Sequence, residues 1–112
     1  MARVRALLRR GVPTPAVVRC KALAIDTATR IASYGGTPVG LRRLEYLLLV
    51  HLAREPTRVH TKTELLREVW GWADGSTRTV DTHASRLRRK LAHVGAHGWV
   101  PVTWGVGYRL AP

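Results

Sequence analysis

The chain has 112 residues, enough for one domain and too few for two of ordinary size. Nineteen Lys and Arg residues against seven Asp and Glu give a net charge of +12, which favours a polyanionic partner, most often nucleic acid. The 46% hydrophobic content excludes a disordered chain, the single cysteine excludes an internal disulfide, and no apolar run is long enough to span a membrane. These features predict a small globular protein of the cytoplasm.

The first fifteen residues differ in pattern from the rest of the chain. Residues 1–10 mix basic and apolar side chains, with the apolar ones at helical spacing, and predict a short helix. Residues 11–15 contain one glycine and two prolines and predict a linker. We therefore expect a helix and linker over residues 1–15, followed by a single domain over residues 16–112.

Four short apolar runs follow and predict a small antiparallel sheet. The candidate strands cover residues 17–18, 23–25, 30–33 and 38–41. Turn-forming residues at 26–29 and 35–36 separate the second strand from the third and the third from the fourth.

Two helices are predicted to follow the sheet. The first covers residues 41–54, where four leucines repeat at helical spacing, although Arg42 is a poor N-terminal cap. The second covers residues 61–70 and begins with a Thr-x-x-Glu capping box formed by Thr61 and Glu64.

A loop over residues 71–76 leads to a third predicted helix at 78–93, with Thr77 as its N-cap. Its apolar residues repeat at intervals of four, three and four and are expected to face the core: Val80, Ala84, Leu87 and Leu91. Its other sides carry mainly basic and small polar residues: Arg78, Thr82, Ser85, Arg86, Arg88, Arg89 and Lys90. Two extended runs, 99–103 and 107–110, predict a terminal β-hairpin.

This order of elements is typical of a winged helix-turn-helix, in which the hairpin after the third helix forms the wing. Arginine binds phosphates and the O6 and N7 atoms of guanine, and serine and threonine fit close to base edges. The alternative is that the basic residues form an ordinary solvated helix face. The helix considered alone does not decide between these interpretations.

Four motifs occur in one order along the chain: LEY at 44–46, ELLREVWG at 64–71, RTVDTHASRLRRKL at 78–91 and WGVGYRL at 104–110. Together they resemble the winged-helix effector domain of OmpR/PhoB-type response regulators of bacterial two-component systems, over residues 17–110. The resemblance implies an α+β fold with a four-stranded antiparallel sheet, three helices and a C-terminal hairpin wing. It also implies a sequence-specific DNA-binding regulator of transcription.

The resemblance further implies that the third helix lies in the major groove of DNA. The positions that match base contacts are Asp81, Thr82, Ser85 and Arg86, and those that match phosphate contacts are Trp70, Arg78, His83 and Arg88. The wing, with Thr103, Trp104 and Gly105, would reach the adjacent minor groove. Trp104 stands where the family frequently has arginine.

The partners implied are double-stranded DNA, a second copy of the chain in a weak homodimer on direct repeats, and RNA polymerase. The polymerase contact would involve Trp72 and Asp74 in the loop at 71–76, for which the alternative is a plain connector. The implied location is the cytoplasm, in association with the nucleoid. Family members usually carry a phosphorylatable receiver domain first, and residues 2–10 look like the tail of its last helix. An orphan effector domain, a relic of a longer gene and an upstream start all fit this pattern.

We expect no cofactor, no metal site and no enzyme activity. The sequence contains no nucleophile elbow, phosphate-binding glycine loop or paired-carboxylate motif. His93 and His97 have the i, i+4 spacing of helical metal ligands, but Gly95 interrupts the helix between them. Two other functions remain open: a winged-helix protein-interaction module that captures a partner regulator, and a small basic RNA-binding protein.

Overall fold

The computed structural model describes residues 17–72, 76–103 and 105–112. The helix and linker predicted over residues 1–15 lie outside the described residues. None of the helices in the described ranges is both long and apolar enough to cross a membrane.

The first four strands form one antiparallel sheet in sequential order. They are β1 (Val17–Cys20), β2 (Leu23–Asp26), β3 (Ile31–Tyr34) and β4 (Thr37–Val39). Each predicted strand is present, and no strand end is displaced by more than two residues. The Asp26 carboxylate accepts hydrogen bonds from the N–H groups of Ala28 and Thr29, at 3.0 and 3.3 Å, and so stabilises the turn between β2 and β3.

The helix α1 (Arg43–Arg54) begins two residues later than predicted. Arg42 provides no side-chain cap, as expected, but its own N–H donates to Glu45 Oε1 at 2.9 Å. This bond satisfies one of the donors that a helix leaves free at its N-terminus.

The predicted second helix divides into two parts: α2 (Lys62–Leu65) and a π-helical turn, Leu66–Trp70. The Thr61–Glu64 capping box is confirmed, because Thr61 Oγ1 accepts from the Glu64 N–H at 3.0 Å and Glu64 Oε1 accepts from the Thr61 N–H at 3.3 Å. Gly71 ends the turn with a φ of 77°, a left-handed conformation that glycine adopts without strain.

The helix α3 (Arg78–His93) has the predicted bounds. The four apolar residues expected to face the core, which form a stripe along it, are all fully buried. The prediction that Thr77 caps it is wrong. Thr77 has helical φ and ψ, and its side chain makes no cap bond. An N-cap residue normally has an extended backbone, which brings its side-chain oxygen over the first free N–H groups. Here Ser76 Oγ accepts from the Arg78 N–H at 3.2 Å instead.

The C-terminal hairpin is confirmed, but it belongs to a three-stranded sheet of order β5-β7-β6. The strands are β5 (His60–Thr61), β6 (Val102–Thr103) and β7 (Gly107–Tyr108), and β5 is a strand that the sequence did not predict. A Cβ atom at Gly107 would lie 1.8 Å from the His60 carbonyl oxygen, so this pairing of β5 with β7 requires glycine. We call the β6–β7 hairpin the wing.

The core lies between the inner face of the first sheet and the three helices. Leu23 and Ile25 of β2, Leu48 of α1 and Leu91 of α3 are all fully buried in it. Trp99 packs edge-on against Tyr34 of the sheet, with ring centroids 5.3 Å apart. This contact places the start of the wing segment against the first sheet.

Candidate nucleic-acid interface

The side of α3 opposite its buried stripe is polar and exposed. We call this side the cationic face; its residues are Arg78, Thr82, Ser85, Arg86 and Arg89. In the part of the chain that the structure describes, the guanidinium groups of the three arginines make no hydrogen bond or ion pair. The Thr82 hydroxyl donates to the Arg78 carbonyl one turn earlier, at 3.1 Å. The cationic face therefore offers three unpaired positive charges beside two hydroxyl groups.

His83 and Trp70 lie together on one flank of this face. Their rings meet edge to face, with centroids 5.2 Å apart. His83 Nδ1 lies 2.8 Å from the Thr79 carbonyl oxygen. Because a carbonyl only accepts, Nδ1 must carry a proton, and Nε2 can then donate to a ligand only in the doubly protonated imidazolium.

Lys90 lies on the same flank but turns inward. Its Nζ atom is 2.5 Å from Glu45 Oε1, and Glu45 is fully buried in α1. Burial raises the pKa of Glu45, but the hydrogen bonds from Lys90 and from the Arg42 N–H outweigh this and hold the pKa below its ordinary value. Lys90 therefore joins α3 to α1, a contact that the sequence did not predict.

Asp81 and Arg88 occupy the opposite flank, which faces the wing. Asp81 Oδ1 accepts from the Tyr108 hydroxyl at 2.5 Å and lies 3.0 Å from Lys62 Nζ. Arg88 donates from Nε and Nη2 to the Val100 carbonyl, at 3.0 and 2.8 Å. Two residues predicted to contact DNA thus bond to the chain's own atoms, and the sequence did not single out their partners.

The ionisation states of Asp81 and Tyr108 follow from these contacts. Burial raises the pKa of Asp81, but the hydrogen bonds from Tyr108 and Lys62 outweigh it and hold the pKa below its ordinary value. Burial, together with the bond to Asp81, raises the pKa of Tyr108 to about 12. At neutral pH the carboxylate is therefore charged and the phenol is its donor.

The remaining predicted site residues lie at the two ends of this surface. Thr103 lies in β6 and is partly buried, and Gly105 is exposed in the turn of the wing. Trp72 follows the π-helical turn directly and is 50% exposed. Trp104 and Asp74 lie outside the described residues.

A groove of about 410 Å³ separates α3 from the wing. It is lined by Asp81, Ser85 and Arg88 of α3, by Val102, Gly105 and Tyr108 of the wing, and by Lys62 of α2. Within the described ranges, no group of three or more His, Cys, Asp or Glu side chains is placed to hold a metal ion. His93 and His97 are both exposed at the far end of α3.

Comparison with known proteins identifies the family. The family model described as "Transcriptional regulatory protein, C terminal" matches residues 36–110. The transcriptional regulatory protein ResD of Bacillus subtilis (strain 168) is 41% identical over 120 residues, which cover 96% of this chain and 50% of that protein. The transcriptional regulatory protein SrrA of Staphylococcus aureus (strain NCTC 8325 / PS 47) is 39% identical with the same coverage. The chain thus spans about half the length of these curated relatives.

Solved structures agree with this assignment. The DNA-binding domain of the response regulator AdeR, crystallised with an intercistronic region, superposes with a TM-score of 0.77 at 33% identity, covering 83% of this chain and 96% of that chain. The DNA-binding domain of Klebsiella pneumoniae RstA, crystallised with the RstA box, gives 0.76 at 30% identity, covering 86% and 97%. DrrB, a Thermotoga maritima OmpR/PhoB homologue, gives 0.73 at 27% identity, covering 87% and 45%. The chain therefore belongs to the family of C-terminal, winged-helix domains of transcriptional regulatory proteins, as its motifs predicted.

Proposed function

We propose that the chain is a sequence-specific DNA-binding regulator of transcription that reads the major groove with α3. The observation that carries the proposal is the cationic face, where three guanidinium groups that have no partner among the described residues lie beside Thr82 and Ser85. Guanidinium groups bind phosphates and guanine, and an α-helix fits the width of the major groove. The AdeR and RstA domains, which share this fold, were both crystallised with DNA.

In this proposal Arg86, Thr82 and Ser85 read base edges. Arg86 is exposed and suits a bidentate bond to O6 and N7 of guanine, whereas the Thr82 methyl group suits the methyl of thymine. The chain contains no Asn or Gln, so adenine lacks its usual bidentate partner and must be recognised by indirect means.

The phosphate contacts in this proposal come from the ends and the flank of α3. Arg78 begins the helix and is exposed. His83 donates from Nε2 when it is doubly protonated, and Trp70 donates from its indole N–H. The wing, through Thr103, Trp104 and Gly105, enters the adjacent minor groove.

The test is selection of bound sites from a random duplex library with the wild type, Arg86→Ala and Arg54→Ala. Arg54 is an exposed cation at the end of α1 and serves as the charge-matched control. We expect the wild type to enrich one motif that contains guanine. Arg86→Ala should relax the preference at one guanine and cost about 1–3 kcal/mol on the best site, while Arg54→Ala should retain the motif. Lack of enrichment by the wild type would contradict sequence-specific binding, and an unchanged motif with Arg86→Ala would contradict the orientation of α3.

The two alternative functions predict different binding partners. An RNA-binding sheet would present aromatic side chains for base stacking. Tyr34 packs against Trp99 and is partly buried, so within the described strands the sheet offers no such platform. A protein-interaction module would bind neither nucleic acid, whereas the proposed regulator should bind duplex DNA more tightly than an RNA hairpin in a gel-shift assay.

We further propose that two copies bind direct repeats as a weak homodimer, on the nucleoid in the cytoplasm. The support is the resemblance to OmpR/PhoB-type effector domains. Selected sites should then contain two half-sites in the same orientation. The bound fraction in a gel-shift assay should rise more steeply with protein concentration on the full site than on a single half-site. Enrichment of single half-sites would indicate a monomer.

We also propose that Trp72, together with Asp74, contacts RNA polymerase. Trp72 is half exposed, which is unusual for so large an apolar side chain. Trp72→Ala should reduce transcription activation in vitro and leave DNA affinity unchanged. If activation is retained, or if DNA affinity falls in parallel with it, the loop is a connector.

A further inference from the structure

One flank of α3 is bonded to the wing at two points. Asp81 and Arg88 are seven residues apart, which is about two helical turns, so both side chains project from the same side of the helix. Asp81 bonds to Tyr108 of β7, and Arg88 bonds to the carbonyl of Val100, two residues before β6. Each strand of the hairpin is therefore held, directly or through the residues that lead into it, by one charged side chain of α3.

The wing depends on outside contacts for a fixed position. Its strands have only two residues each, and a hairpin of this size is at best marginally stable alone. The pairing with β5 supports one edge of β7. The bonds from Asp81 and Arg88 attach the wing to a second element, α3.

Both contacts have the properties of strong hydrogen bonds. The Tyr108 hydroxyl donates to a charged carboxylate at 2.5 Å, and Lys62 of α2 binds the same carboxylate. Arg88 uses two N–H groups on one carbonyl oxygen, and Val100 is fully buried. Hydrogen bonds with one charged partner are about twice as strong as neutral ones.

We propose that Asp81 and Arg88 are positioning residues that hold the wing at a fixed distance and angle from α3, so that the two elements meet neighbouring grooves of DNA together. The proposal rests on the proposed DNA-binding function. A preformed arrangement spares the cost of ordering the wing during binding. On this proposal Asp81 does not read a base and Arg88 does not serve mainly as a phosphate contact.

The wing contact can be measured in the free protein, independently of DNA. Tyr108→Phe removes a single oxygen atom, and Asp81→Ala removes its acceptor. In each variant we expect amide hydrogen exchange across residues 102–108 to accelerate at least about tenfold, the effect of losing one hydrogen bond to a charged group. The double variant should be no faster than the faster single variant, because both changes remove the same bond. Arg88→Met should accelerate the same amides, whereas Thr82→Ala, on the cationic face, should not.

Binding-site selection then separates positioning from base reading. We expect Tyr108→Phe, Asp81→Ala and Arg88→Met all to retain the base preference at the centre of the site and to lose hydroxyl-radical protection where the wing lies. A base preference altered by Asp81→Ala but not by Tyr108→Phe would overturn the proposal and make Asp81 a base reader. Unchanged hydrogen exchange in the wing would also overturn it. Failure of the wild type to bind DNA specifically would instead refute the proposed function, and the exchange data would still test whether Asp81 and Arg88 hold the wing.

Discussion

Replacement of Lys90 by methionine tests whether the cations of α3 have separate roles. Lys90 is part of a basic helix, yet its ammonium group contacts the buried carboxylate of Glu45 rather than solvent alone. Lys90→Met keeps most of the apolar stem and removes the charge. We expect the variant to lose stability while it retains DNA affinity at temperatures where it is folded.

The magnitude follows from what the variant leaves behind. Removing one partner of a buried ion pair costs about 3–5 kcal/mol, because the other charge remains buried. The Lys90 side chain is 32% exposed, and Glu45 keeps its bond from the Arg42 N–H. We therefore expect a cost below that range, about 2–3 kcal/mol. With an unfolding entropy of about 2.1 cal/mol/K per residue, this lowers the Tm of the chain by roughly 10 °C.

The loss should depend on pH in a defined direction. In the wild type the lowered pKa of Glu45 stabilises the fold above the unfolded-state pKa, and that contribution disappears as the pH falls. In Lys90→Met burial dominates and raises the pKa of Glu45, so the variant gains stability when Glu45 takes up a proton. The difference between the two proteins should therefore be largest near neutral pH and should shrink as the pH falls from about 7 to about 4.

Thermal unfolding across this pH range is the assay, with Arg89→Met as the control for the loss of one positive charge from α3. Arg89 is exposed and adjacent in sequence. The double variant Glu45→Gln with Lys90→Met should recover more than half of the lost stability, because it removes the buried charge. A Lys90→Met variant no less stable than Arg89→Met, or a difference that grows at low pH, would refute the reasoning.

Three further predictions concern the wing and the DNA contacts. Gly107→Ala should cost at least about 1–3 kcal/mol, because its Cβ atom would overlap the carbonyl on β5, whereas Gly40→Ala has open space and should be nearly neutral in thermal unfolding. DNA affinity should fall as salt rises, with a log–log slope of about −0.9 for each phosphate that a cation of the domain neutralises, and a salt-independent Kd would contradict DNA binding. His83→Gln should weaken DNA binding, because His83 lies beside Trp70 on the flank of the cationic face, and His97→Gln should not; equal losses in both variants would contradict a phosphate contact from His83.

The elements with strong internal periodicity were predicted best. The bounds of α3 and its four buried residues agree with the sequence prediction, since an apolar stripe in a long helix is a local signal. The strand β5 was missed because it has only two residues and, unlike β6 and β7, lies in no longer extended run of the sequence. Its existence depends on Gly107, whose partner lies far away in the sequence.

The contacts made by the flanks of α3 could not be predicted from the sequence. Helical periodicity separates the inside of a helix from its outside, but it does not say what lies beside each flank. Asp81 meets a residue 27 positions away, and Lys90 meets one 45 positions away. These contacts are set by how the wing and α1 pack, so a charged flank residue can look solvent-facing in the sequence and still bond inward.

Some cations of α3 are exposed and others bond within the chain, and this difference affects how the charge of the chain relates to DNA binding. The helix α3 contains five cations, of which Arg88 and Lys90 bond to the chain's own oxygen atoms. The other three remain exposed on the cationic face, and none of them bonds to another described residue. On the proposed function, the net charge of +12 governs long-range attraction to DNA, whereas the packing of the flanks of α3 limits how many of its cations contact DNA directly. Variants of the exposed arginines should change the contacts of α3 with DNA. Variants of Arg88 and Lys90 should instead change how α3 is held against the wing and α1.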